Sequence, residues 1–318
     1  MKCLVIYFSQ TGNTEHIAKA IQAGVKQTAG HCDIAKIKDV SPRHLYEYDL
    51  IGLGTAVIAW KEPSNVTAFI NNMRFVGGKH VFAFGTHGTK PEHLFPSMVP
   101  RLQRRGLIVI GTRSWYCSCN LLFMPKPYPT DGHPDEIDLK EAEDFGKEMV
   151  ERSRKISAGE TDLIPPVPPV PPPVPKKEVY DEIDSRFRDM LKFHEEKCTY
   201  PECRLCMDNC PMDGIDLSVK PPVFLNPCIK CCFCMFICPT GALDIEDWLD
   251  MASPTIIETV PSVFVPALAQ AEAEGRFRRL IPLVEIDYAN PLYKKYNKHP
   301  RWVIGKGLQK VTLGSAGN

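Results

Sequence analysis

Cysteine is the residue through which this sequence could do the most chemistry. Thirteen are present in 318 residues, and nine of them fall between Cys198 and Cys238. The densest stretch, CIKCCFCMFICP, spaces Cys228, Cys231, Cys234 and Cys238 as C-x2-C-x2-C-x3-C ahead of Pro239. Such close spacing lets one loop wrap three corners of a cubane, while the proline ends the loop and the last cysteine is carried toward a neighbouring site. This is the run that ligates a [4Fe–4S] cluster, its fourth cysteine serving the other cluster where two are present. Zinc is the competing reading, although zinc sites usually pair two separate C-x2-C knuckles.

An earlier copy spaces Cys198, Cys203, Cys206 and Cys210 as C-x4-C-x2-C-x3-C ahead of Pro211. The copies continue alike, PMDGIDL against PTGALDI. Its first gap is longer by two residues, a bulge between first and second ligands that sterics allow. Cys232 stands outside both quartets and reads as a small apolar filler. The remaining four, Cys3, Cys32, Cys117 and Cys119, lie in the first half.

A second site follows the first apolar run. After KCLVIYF come Ser9, Gln10, Thr11, Gly12, Asn13 and Thr14, and then a helical pattern. A phosphate here would meet free N–H groups and the positive end of a helix dipole. Hydroxyls add donors, and Gly12 permits a tight turn. A Walker loop would need Lys beside Ser or Thr, and a dinucleotide fingerprint would need three spaced glycines. Neither is present, so the alternative is an ordinary strand-to-helix turn capped by Ser and Thr.

Five apolar runs must position this loop: KCLVIYFS, CDIAKI, DLIGLGT, HVFAFGT and LIVIGTRSW. Helical patterns alternate with them, and LKEAEDFGKEMVERSRKI closes the unit. Near-continuous apolar strands separated by helices predict a parallel sheet covered on both faces. The organisation reads as residues 1–160, a proline-rich linker over 161–177, a cysteine module over 178–250 led by a helix at 178–196, and an extension over 251–318 containing one helix (ALAQAEAEGRFRRL). The linker, IPPVPPVPPPVPKK, favours polyproline II. It serves either as a stiff spacer or as a PxxP ligand.

On the S-x-T-G-N-T loop and its place in a five-stranded pattern, the first unit resembles flavodoxins. That resemblance implies a doubly wound α/β sheet of order 2-1-3-4-5, with FMN at the switch point between strands one and three. It assigns the phosphate to residues 9–14. It assigns the flavin ring to loops containing Thr55, Ala56, Val57 and Trp60, and Thr86, His87 and Gly88. Trp60 reads either as a stacking partner or as a surface aromatic. Cys117 and Cys119 read either as a redox pair or as bystander thiols. The cysteine repeat resembles the small α+β two-cluster bacterial ferredoxins. That implies one cluster on Cys198, Cys203, Cys206 and Cys238, and another on Cys228, Cys231, Cys234 and Cys210.

Together the two resemble the fused flavodoxin–ferredoxin proteins. The implied function is transfer of low-potential electrons between two [4Fe–4S] clusters, FMN and a partner redox enzyme. The alternatives are an FMN-dependent reductase of a quinone-like or unsaturated acceptor, and a redox sensor. No apolar run reaches the roughly 20 residues that span a bilayer, and no signal-peptide layout is present, so a cytoplasmic protein is expected. Residues 198–250 carry 3 Lys and Arg against 8 Asp and Glu, and residues 251–318 carry 9 against 5. An acidic redox module suits a basic protein partner rather than nucleic acid. About 34 Å of polyproline would hold flavin and clusters of one chain apart, a separation that a head-to-tail homodimer would overcome.

Overall fold

The apolar runs become β1 (Cys3–Tyr7), β2 (Asp33–Lys36), β3 (Leu50–Ala56), β4 (His80–His87) and β5 (Ile108–Tyr116). In the computed structural model they form one parallel sheet of order β2-β1-β3-β4-β5, the doubly wound order expected from the sequence. The structure describes residues 1–121, 124–173, 178, 181–182, 185–187, 190–219, 222–224 and 228–288. Strands β1 and β4 are buried along their whole length, as the uninterrupted apolar pattern requires for a sheet covered on both faces.

Helices α1 (Asn13–Ala29) and α4 (Glu136–Ser157) cover one face. There Ile17, Ile21 and Val25 meet Phe145, Met149 and Val150 over Val5 and Phe82. Helices α2 (Ser64–Asn71) and α3 (Leu94–Arg104) cover the other, with Ile70, Leu94 and Met98 over Ile6, Leu53 and Ala83. The α1–α4 contact is close enough to need glycine. A Cβ on Gly24 would lie 1.8 Å from the Glu143 carbonyl oxygen.

The cysteine module is built from short pieces. Strands β6 (Lys192–Phe193) and β9 (Leu243–Asp244) pair antiparallel, as do β7 (Ile215–Asp216) and β8 (Val223–Phe224). Helix α5 (Leu205–Asp208) follows the first cysteine copy's start, and α6 (Phe233–Ile237) occupies the equivalent place in the second. The helix expected over residues 178–196 does not reach its end. Lys192 and Phe193 pair with Asp244 and Leu243 instead, and Glu195–Lys197 is a 3-10 turn. Ladder bonds to the second cysteine copy override local helical pattern there. Within that expected helix, Val179 and Ile183 lie outside the described residues, and Phe187 is buried.

Beyond the module the sequence suggests one helix and the structure has a longer run. Helix α7 (Glu246–Thr259) passes through a π turn at Val260–Phe264 into α8 (Val265–Ala273). The wide turn falls where Pro261 would otherwise break the ladder. This segment packs on both units. Trp248 and Leu249 enter the cysteine module's core, Phe264 meets Trp60 at 5.4 Å, and Phe277 meets Tyr116 at 4.8 Å. Arg278 grips both Asp135 carboxylate oxygens at 2.7 Å. Residues 289–318 of the expected extension lie outside the described residues. No helix among the described residues is long and apolar enough to cross a membrane.

Candidate functional site

Parallel strands deliver their following loops to one edge of the sheet, and the loops after β1, β3, β4 and β5 meet there. Gly12, at φ 98°, turns the chain into α1, a left-handed conformation that glycine adopts without penalty. The first N–H groups of α1 have no intrahelical acceptor. Thr14 and Thr86 share a buried hydroxyl bond of 2.8 Å, which ties this loop to the end of β4. Asn13 Nδ2 donates to the Ser118 carbonyl at 2.8 Å, and Asn120 Nδ2 to Thr11 Oγ1 at 3.2 Å. Lys126 lies behind Asn120, donating to its Oδ1 at 3.1 Å and to Asp131 at 2.6 Å.

Together these loops line a pocket at the ends of the strands. Of the expected residues, Ser9, Gln10, Thr11, Asn13, Thr14, Ala56, Val57, Thr86, His87 and Gly88 line it. Thr55 is buried in its strand, with its hydroxyl on the Ala56 carbonyl. Trp60 does not line the pocket. Its backbone turns at φ 70°, and its ring packs edge-on against Phe264. Sequence reasoning missed the loop after β5, where Ser118, Asn120 and Leu121 form one wall, and also missed Phe236. The only signal was position: Cys117 and Cys119 follow strand five. Both are free thiols; burial pushes Cys119 up to about 11 and Cys117 higher still.

Two buried polar atoms facing this pocket have no protein partner, Ser9 Oγ and His87 Nδ1. Burial, together with the Arg276 guanidinium, lowers His87 to about 3, so the imidazole is neutral. Its Nε2 lies 3.1 Å from Ser114 Oγ. A buried hydrogen-bonding atom without a partner is costly. A bound polar ligand would supply such partners, and the hydroxyls of Ser9 and Thr11 with the first N–H groups of α1 fit a phosphate, as a flavin mononucleotide bears.

The eight expected cysteines gather as two groups, with no disulfide. Cys198, Cys203, Cys206 and Cys238 line one apolar recess with Phe193, Leu205, Leu217 and Leu243. Burial first, then the neighbouring Cys238, Cys198 and Cys203 thiolates, raise Cys206 to about 11. Cys234 is raised by burial and then by Cys231, Cys228, Cys206 and Cys210. Corresponding backbone groups serve the two copies: Gly214 N–H reaches Cys210 Sγ and Ala242 N–H reaches Cys238 Sγ, each at 3.2 Å. Burial raises Cys238, but N–H groups of Thr240, Ala242 and Leu243 and the Thr240 hydroxyl outweigh it and hold the thiol below its ordinary range. Cys232 is buried among apolar side chains.

Among the described residues, the one set of three metal-capable groups with ligand atoms within 4.8 Å is His133, Asp135 and Asp138. Arg278 and mutual bonds already occupy it: His133 Nδ1 meets Asp138 at 2.5 Å and Nε2 meets the Arg278 carbonyl at 2.7 Å. No three cysteine sulfurs of the described residues all lie within that distance of one another.

The spacer does not separate the two sites. Cys231 lines the flavin pocket, and its carbonyl accepts from Gln10 Nε2 at 3.0 Å within the same chain. Ile229 and Cys231 join the apolar core beneath α2 and α3. The Gln10–Cys231 bond and the shared pocket wall bring the two units into contact within one chain.

A flavodoxin-domain family matches residues 4–101. An uncharacterized protein of Methanocaldococcus jannaschii is 29% identical over 164 residues, covering 47% of this chain and 99% of that one. The flavodoxin of Megasphaera elsdenii is 30% identical over 111 residues, covering 34% of this chain and 81% of its own length. The chain belongs to the flavodoxin family. An uncharacterized ferredoxin of Methanocaldococcus jannaschii is 37% identical over 51 residues, 15% of this chain and 82% of that protein. Ferredoxin relatives match a separate short region, so the chain is a flavodoxin–ferredoxin fusion. Electron transfer is its general function, with FMN and iron–sulfur chemistry the corresponding cofactors.

Proposed function

We propose that this fusion is an electron-transfer protein in which one FMN and two [4Fe–4S] clusters exchange low-potential electrons with a separate redox enzyme. The observation that carries the reading is that Cys231 belongs both to a cysteine group and to the wall of the flavin pocket. A one-electron centre and a cofactor able to hold two electrons would then be neighbours in one chain.

Bound FMN supplies conversion between paired and single electrons. The chain's own residues do the holding. Ser9, Thr11, Asn13 and Thr14, with the first N–H groups of α1, would bind the phosphate. His87, neutral and with Nδ1 free of a protein partner, would meet the ring. Phe236 and Leu121 exclude water. Cys198, Cys203, Cys206 and Cys238 would hold one cluster; Cys228, Cys231, Cys234 and Cys210 would hold the other. A small organic acceptor would need access to the ring, and Cys231 and Phe236 form part of that wall instead.

Anaerobic titration with dithionite tests this. Uptake of about four electrons per chain is expected, two at flavin and one at each cluster, with reoxidation by a protein acceptor. Uptake by flavin alone, or rapid stoichiometric turnover of a small quinone, would overturn it.

A further inference from the structure

The two cysteine groups are near-copies in sequence, yet only one touches the flavodoxin unit's pocket. Around Cys228, Cys231, Cys234 and Cys210, Gln10 bonds the Cys231 carbonyl, and Phe236 of the adjoining helix α6 lines the flavin pocket. Ile229 and Cys231 sit in the sheet unit's core, with Met212 and Phe233 against it. Nearby, Lys38 donates to the Asp208 carbonyl at 2.9 Å. The recess around Cys198, Cys203, Cys206 and Cys238 is lined entirely by residues of the cysteine module, from Phe193 to Leu243. Its surface carries exposed Glu195, Glu196, Glu202 and Asp208 against Lys197 and Arg204.

We infer that the two groups have different tasks: the Cys228/Cys231/Cys234/Cys210 group is the relay to flavin, and the Cys198/Cys203/Cys206/Cys238 group is the port where a one-electron carrier protein with a basic docking face meets the chain. The inference rests on the cofactor content proposed above and assigns that content an order. Each electron leaves the carrier's reduced centre, oxidising it by one, and passes from port to relay to flavin. Two such transfers reduce the flavin fully, with protons drawn from water. Gln10 is a positioning residue, fixing the relay loop against the pocket. The net negative surface around the port would steer a basic partner, an attraction that salt screens. Cys228 of the relay group is also exposed.

The test uses full-length protein loaded with clusters, wild type and Cys203→Ala. FMN is first titrated into flavin-free samples while the cluster potentials are followed by EPR. FMN should shift the potential of one cluster, and that cluster should be the one retained in Cys203→Ala. A shift confined to the cluster lost in this variant would overturn the inference. Next, a reduced low-potential c-type cytochrome of basic pI serves as the electron donor in stopped flow. Loss of rapid flavin reduction in Cys203→Ala, and slowing of the wild-type reaction with added salt, are expected; an unchanged rate in the variant would overturn the port assignment. Should Cys203→Ala fail to fold, Gln10→Ala retains all eight cysteines. It should diminish the FMN-induced shift, and an undiminished shift would contradict the relay. Failure of FMN or iron to bind at all would instead sink the cofactor reading on which the order rests.

Discussion

The sheet unit and the cysteine module are stabilised by different means. The sheet unit has strands of up to nine residues and helices of up to 22, with apolar cores on both faces. Among the described residues between Lys192 and Asp244, the module has four strands of two residues each, and helices of four and five. Elements that short do not hold themselves together in water. Its shape comes from the core that α7 and the π turn complete and, on the proposed cofactor content, from ligation across the cysteine groups. A redox fold can thus put its packing where the organic cofactor binds and its ligand bonds where the metal does.

The largest effect should come from stripping iron. Removal of the clusters with a chelator under reducing conditions should abolish amide-exchange protection over residues 190–250 while strands β1, β3 and β4 stay protected. Equal loss in both regions would break the contrast. Next is Gly24→Ala, which places a methyl against the Glu143 carbonyl. It should cost the sheet unit about 1–3 kcal/mol, visible as a lower first melting transition with unchanged iron content.

Acid should likewise act on the sheet unit. His87, at about 3 when folded, and His80, also lowered by burial, both titrate near 6.5 when unfolded. Stability is therefore fully present above 6.5 and is lost as pH falls toward the folded value. Between about pH 7 and pH 5 the His87 contribution is roughly 2 kcal/mol, and His87→Asn should flatten that slope in denaturant titrations. The smallest effect is expected for Gln10→Ala, which removes one amide–carbonyl bond between the two regions. About 1 kcal/mol should be read as faster exchange around residues 229–233, with the remainder of both units unchanged.

Legibility in the sequence follows the same division. All five strands and the four sheet-covering helices were readable because each element's period decides its own fate over many residues. Phe82 and Phe84, for example, belong to a run buried throughout. The cysteine groups were readable for another reason, the fixed reach of a loop around a cluster. What sequence did not disclose was contact across long separations. Trp60 packs on Phe264, 204 positions later, which removes it from the pocket that local context suggested. Phe236 and Cys231 reach the pocket from a module far along the chain from the loops they join. Helix α7 was hidden by Pro254, and the continuation at Pro261 by a π turn that no local pattern announces.

The central claim is that the sheet unit binds one flavin and the module two cubane clusters. Iron, acid-labile sulfide and FMN measured on anaerobically purified full-length protein test it most directly. About eight iron, eight sulfide and one FMN per chain are expected. Four iron would mean that one cysteine group is empty, and zinc in place of iron, or protein without flavin, would contradict the account.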